Sequence, residues 1–341
     1  MAFDLGTSYL YGHVAGVVNR ESVLDMISNV DPFDTPLLNM MPKVPAREVT
    51  EYWLQDTLAA TSTGGLAEGR PFAAADQTAP SRLSNITQIF GKDIAVSETQ
   101  QAVSPYGFDD TFLYQIMKGT REVMRNVERR LFSPSDQSAV GTAVIASAAG
   151  TARAMKSLDD FITGNSWHAA GTAIGGLSAG TELSAARLSE TSFNTALQLI
   201  YQDGGQPGFI FASPSSKRMI SGYAGTVAAG GSTPTVYLNA TERQIIRSVN
   251  SYLSDFGLLN VVLDRWEAQA ANGPTDHTDR NGTIHFLDLP KVQAAFLRPI
   301  RFRRLAADGD RVRGQITGEL TLRVLSGGLA MGRIWGITNL V

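Results

Sequence analysis

The sequence predicts a mixed α+β protein, and three observations carry that prediction. A long amphipathic helix is written over Asp109–Phe132. A second helix follows at Glu190–Asp203, and β-favouring runs stand before, between and after the two. The helices and strands are interspersed, which is the pattern of the α+β class.

Residues 1–46 mix turn residues with short apolar pieces, and Glu21–Val30 suits a short helix. Asp31–Lys43 (DPFDTPLLNMMPK) holds three prolines in thirteen residues, which forbids a continuous helix there. The whole reads as an arm that packs on something else. Val49–Leu58 is strand-like, with Tyr52 and Trp53 supplying bulk. Ala59–Ser81 is rich in Gly, Ala, Ser and Pro, and Leu83–Val96 returns as a strand. Hairpin loops usually have about 2–5 residues, so so long a connection points to a contact-making loop; the alternative is a disordered surface loop.

In Asp109–Phe132 the residues Phe112, Leu113, Ile116, Met117, Val123, Met124, Val127 and Leu131 fall on one helical face. Asp109 and Asp110 suit the positive end of the helix dipole, and Arg125, Arg129 and Arg130 the negative end. At ~1.5 Å per residue the helix spans ~36 Å, long enough to serve as a spine. Ser133–Leu183 is rich in Ala, Gly, Ser and Thr, and its pattern assigns no element order. In Glu190–Asp203, Phe193, Ala196, Leu197, Ile200 and Tyr201 form the apolar face, with Ser189 as N-cap and Gly204 as terminator. Gly208–Ala212 reads as a buried strand, and Ser213-Pro214 opens a short helix. Strands follow at Val249–Leu253 and Leu258–Leu263, turning at Asp255-Phe-Gly257. Thr283–Leu287, Val292–Leu297, Gln315–Val324 and Met331–Thr338 complete a strand-rich end.

Composition narrows the function classes. The chain has 341 residues, enough for about two domains at ~150 residues each. It has no cysteine, which removes disulfides, thiolate metal sites and Cys nucleophiles. No secretory signal fits Met1–Arg20, and no apolar run reaches the ~18–20 residues that span a bilayer, so a soluble cytoplasmic product without a membrane partner is expected. A net charge of −3 argues against a dedicated nucleic-acid binder. Charged residues make up 18%, below the ~25% of ordinary soluble domains, which suggests surface covered by other copies of the chain.

Motifs for chemistry are weak. Gly176-Leu-Ser178-Ala-Gly180 matches the nucleophile elbow in letters, but the Gly-rich Gly171–Gly175 before it cannot be a buried strand. His277, Asp279, Asn281, Gly282, Ile284 and Asp288 follow calcium-loop spacing, yet begin with His and lack flanking helices. His13 and His168 have no partner at ligand spacing. Catalytic, metal-binding and cofactor-binding residues are therefore all expected to be absent. Arg298, Arg301, Arg303, Arg304, Arg311 and Arg313 fall within sixteen residues, interrupted by Asp308 and Asp310. Ion pairs within or between subunits suit this cluster better than a nucleic-acid patch.

The order of the segments carries a resemblance. It runs through Asp31–Leu38 (DPFDTPLL), Glu51–Leu58 (EYWLQDTL), Asn85–Gly107, Ala152–Asn165, Val249–Trp266, Arg298-Pro299, Leu305–Asp310 and Gly318–Leu322. Together, from about residue 20 to the C-terminus, these resemble the major capsid protein of tailed double-stranded DNA bacteriophages, the HK-type fold. The resemblance implies an N-terminal arm over 1–46 and an extended loop over 47–98 that lies across a neighbouring subunit. It further implies a peripheral domain over 99–184 with the spine helix 109–132, an axial domain over 185–290, and return strands over 291–341. It implies a structural, non-enzymatic protein that assembles into the icosahedral shell of a virion in the host bacterial cytoplasm. Partners would be other copies in pentamers and hexamers, packaged DNA touched non-specifically, and separate scaffold, portal and decoration proteins. No fused scaffold domain is expected, and Lys–Asn cross-linking is not supported, since Lys92 is the only lysine in the loop. Trp53 and Phe90 are expected as contact anchors, with Phe33 and Arg298, Arg301, Arg303 and Arg304 as further interface residues. The rival readings are a tail-tube or portal protein, a cellular nanocompartment shell, and a serine hydrolase using Ser178.

Overall fold

A computed structural model of the chain describes residues 34–58, 68–69, 79–103, 110–132, 152–168, 178–179, 188–223, 237–239, 244–246, 249–266, 282–306, 309–326 and 328–337. The helix expected at Glu21–Val30, Phe33, most of Ala59–Ser81 and the stretch His277–Asn281 lie outside these residues.

The described chain begins with helix α1 (Pro36–Met40) and strand β1 (Lys43–Pro45). Proline at the start of α1 is tolerated because the first N–H of a helix has no intrahelical partner. Strands β2 (Thr50–Gln55) and β3 (Ser81–Ile86) pair antiparallel as a separate two-stranded ribbon. Strand β4 (Gln88–Ser97) and the short helix α2 (Glu98–Ala102) lead to the spine helix α3 (Thr111–Phe132). Next come α4 (Leu158–Phe161), β5 (Ser166–His168) and β6 (Ser178–Ala179). Helix α5 (Glu190–Gln202), β7 (Phe209–Ala212) and α6 (Pro214–Tyr223) follow, then β8 (Tyr237–Asn239) and β9 (Gln244–Ile246), which pair with each other. Strands β10 (Ser251–Ser254), β11 (Gly257–Leu263), β12 (Gly282–Leu287), β13 (Val292–Arg304), β14 (Arg311–Val324) and β15 (Gly332–Ile337) complete the order.

Two larger sheets organise two cores. The first has the order β1-β13-β14-β4 and carries α3 on one face. Val123, Val127 and Leu131, spaced by four, turn inward from α3 to meet Ile94, Ile316, Leu320 and their neighbours. Gly119 lets the helix come this close: a Cβ there would meet Ile316 Cδ1 at 3.0 Å and Ile94 Cδ1 at 3.3 Å. The helix expected from Asp109 starts at Thr111, because the Asp110 side chain accepts the Leu113 N–H at 3.0 Å as a cap. That bond, with a second from Gln101, holds the Asp110 carboxyl below its ordinary value.

The second sheet has the order β10-β11-β7-β12-β15-β5-β6 and packs with Phe193, Leu197 and Ile200 of α5 and with Met219 and Ile220 of α6. Ser189 caps α5 by accepting the Ser192 N–H at 3.1 Å. The turn between β10 and β11 falls at Gly257, whose φ of +137° favours a residue without a side chain. Every residue of the central strand β12 is buried. His285 on it bonds Asp159 at 2.8 Å, and Asp159 also pairs with Arg333 of β15 at 2.6 Å. Phe132, at the end of the spine helix, lies 5.3 Å from the His285 ring and 5.8 Å from that of Phe211, so the two cores touch at this point.

One expectation is corrected and one open segment is filled in. Leu83–Val96 is not one strand: it breaks at Thr87, whose N–H turns to Val49 O at 2.7 Å and whose hydroxyl donates to Glu319 at 2.7 Å. Segment Ser133–Leu183, which had no assigned order, contributes α4, β5 and β6 to the described residues.

Candidate assembly interface

The ribbon β2–β3 has two unlike faces, because alternate side chains of a strand point to opposite sides. Trp53 faces the body of its own chain and is only 8% exposed. Its Nε1–H donates to Val324 O at 2.8 Å, and its ring lies 5.8 Å from Phe161. Asn85, opposite Glu51 in the ribbon, donates to Leu322 O at 2.7 Å and accepts the Lys156 N–H at 2.8 Å. On the other face Tyr52 and Leu54 point outward, Leu54 with 69% of its surface open, and the Arg82 guanidinium sits 4.5 Å above the Tyr52 ring. Leu58, just beyond β2, is exposed as well.

At the ribbon's root stands Glu319, buried on β14. It accepts Thr87 Oγ1–H at 2.7 Å, Arg153 Nη2–H at 2.8 Å and Arg298 Nε–H at 2.9 Å. Burial opposes its charge, but the Thr87 hydroxyl and the two guanidinium groups outweigh burial and hold the carboxyl below its ordinary value.

The residues expected at an interface therefore divide. Trp53 and Phe90 are revised: both are 8% exposed and belong to the core of their own chain, so neither is an outward anchor. Tyr52 and Leu54, which strand alternation places opposite Trp53, are the exposed residues. Arg298 is tied to Glu319 within the subunit, whereas Arg301, Arg303 and Arg304 are exposed along β13. Phe33 lies outside the described residues. Lys92 pairs with Glu122 of the spine helix at 2.9 Å across a groove of about 480 Å³ between β4 and α3. Ser178 lies within the edge strand β6, opposite His168. Among the described residues no cluster of three or more acidic or histidine side chains is placed to hold a metal ion.

Comparisons with known proteins give consistent matches over nearly the whole chain. The family model described as SU10 major capsid protein matches residues 7–338. The major capsid protein of Escherichia phage Phieco32 is 24% identical over 333 residues, covering 89% of this chain and 90% of that one. Among solved structures, the capsid asymmetric unit of Cyanophage A-1(L) superposes with a TM-score of 0.65 at 14% identity, over 97% of this chain and 100% of that one. A chain of Mycobacterium phage Bobi gives a TM-score of 0.59 at 13% identity, over 96% and 98% of the two chains. These structures share the HK-type fold, which is a mixed helix-and-sheet architecture in this chain. The chain belongs to the SU10 major capsid protein family and is a structural component of a bacteriophage virion shell.

Proposed function

We propose that this chain forms the icosahedral shell around double-stranded phage DNA, and that the outer face of the ribbon is what each subunit lays across its neighbour. The observation that supports this reading is the asymmetry of β2–β3. One face is pinned by Trp53 and Asn85, while on the other the described residues leave Tyr52 and Leu54 exposed. An exposed apolar row on a short pinned ribbon suits burial against a second copy, since heterologous contacts repeated about an axis close into rings. The projecting part of the extended loop then ends near Ile86, because Gln88–Ser97 is a strand of the first sheet.

The first core serves as the peripheral domain and the second as the axial domain, meeting its copies in pentamers and hexamers. Arg301, Arg303 and Arg304 supply ion pairs between subunits, where the planar guanidinium matches carboxylates well. DNA inside is touched without sequence readout, in keeping with the net charge of −3. Assembly takes place in the host cytoplasm, with separate scaffold, portal and decoration proteins as further partners. The role is structural and needs no catalytic group.

Leu54→Asp tests the ribbon. The expected result is a subunit with the melting temperature of the unaltered protein that fails to form shells under the electron microscope. Shells at the unaltered yield would contradict the assignment.

A further inference from the structure

Three segments meet at the C-terminal half of the spine helix, around two carboxyl groups. Glu128 of α3 is fully buried, and its two oxygens accept the N–H groups of Leu37 at 2.6 Å and Leu38 at 2.8 Å, both in α1. Asp264, the residue just after β11, is 1% exposed. Its Oδ1 accepts the Trp266 N–H at 2.8 Å. Its Oδ2 is buried and, among the described residues, receives no N–H or O–H. The Asp264 carboxyl lies against that of Glu128, close enough for a hydrogen bond between them.

A carboxylate has only acceptors, so two ionised groups in this position repel and leave Oδ2 without a donor. One added proton removes both faults: the protonated carboxyl becomes an O–H donor to the other. We propose that Glu128 and Asp264 hold one proton between them, and that this proton ties the spine helix to the end of β11 in the seven-stranded sheet.

The surroundings agree. Burial, and then the charge of Asp264, push Glu128 up to about 9, and burial also raises Asp264. The other charged groups facing the pair come from each packed element. Asp34, before α1, adds negative charge, accepts Trp266 Nε1–H at its carbonyl at 2.8 Å and pairs with Arg265 at 3.7 Å. Arg125 of α3 stands 5.4 Å from the Trp266 ring. His285 of β12 favours the Asp264 charge, but is itself bonded to Asp159, which Arg333 also holds.

The sign of the pH dependence follows. A Glu that ionises near 4.5 when unfolded and near 9 when folded keeps its proton only in the folded state between those values. Stability is therefore highest below about 4.5 for this group and falls as pH rises toward 9, by about tenfold in the unfolding constant per pH unit for one proton. Above that range the pair carries two charges, and the tie between the spine helix and the end of β11 opens.

The test uses the full chain. At neutral pH the infrared spectrum should show the carbonyl stretch of a buried protonated carboxyl, and stability should fall with pH as stated. Asp264→Asn keeps both acceptors for Leu37 and Leu38 and offers an N–H to Glu128, so it should fold, lose the protonated band and flatten the pH slope by about one proton. Glu128→Gln removes an acceptor and is expected to fold poorly, which is why Asp264→Asn is the deciding variant. No protonated band in the unaltered protein, or an unchanged slope in Asp264→Asn, would overturn the proposal.

Discussion

Asp159 and Glu128 are both buried acids at the place where the two cores touch, yet they are driven in opposite directions. Burial alone would raise both. At Asp159 the Arg333 guanidinium and His285 outweigh it, and the carboxyl is held below its ordinary range. At Glu128 the nearest charge is the carboxylate of Asp264, which adds to burial. Between two deeply buried acids, the sign of the neighbouring charge decides whether burial is reinforced or overcome. One tie across the junction is therefore an ion pair and the other a shared proton, and they weaken at opposite ends of the pH scale.

The largest effect that would break this contrast is expected from Asp159→Ala. It strands Arg333 and His285 in the interior, and removal of one partner from a buried pair costs about 3–5 kcal/mol. Denaturant melts check this; a loss within the noise would mean that the pair is not a tie. The pH profile sharpens the contrast next. Asp159 is depressed when folded, so its stabilisation is present above the ordinary value of 3.8 and disappears as pH falls below it. Acid unfolding of Asp159→Asn should accordingly be shallower than that of the unaltered chain, while its alkaline side stays the same. A smaller cost, about 1–3 kcal/mol, is expected for Trp53→Phe, which leaves Val324 O without its donor. Smallest is Ser189→Ala, about 1 kcal/mol from the loss of the α5 cap.

Much of the architecture was legible because it is local. The spine helix declares itself through Val123, Val127 and Leu131 at four-residue spacing; it departs from the expectation at its start, where Asp110 caps it, and in its face, since Leu113, Met117 and Met124 are exposed. Helix α5 shows both its cap and its stop, Ser189 and Gly204. What was not legible is long-range. Nothing near Thr87 announces that Glu319, 232 residues away, would break the strand there. Glu128 and Asp264 sit in no motif, and Asp159 meets His285 across 126 residues. In the ribbon the order Tyr52-Trp53-Leu54 is apolar on both faces, so alternation gives two faces but does not say which is inside. The resemblance in segment order supplied the fold; the side-chain partners required the structure.

The most direct measurement is a cryo-electron microscopy reconstruction of shells assembled from the full chain. The expected result is density for Thr50–Gln55 and Ser81–Ile86 lying across an adjacent subunit, with Tyr52 and Leu54 buried in the contact and Trp53 still against its own Val324. A closed shell in which Tyr52 and Leu54 remain open to solvent would contradict this account of how the subunits are joined.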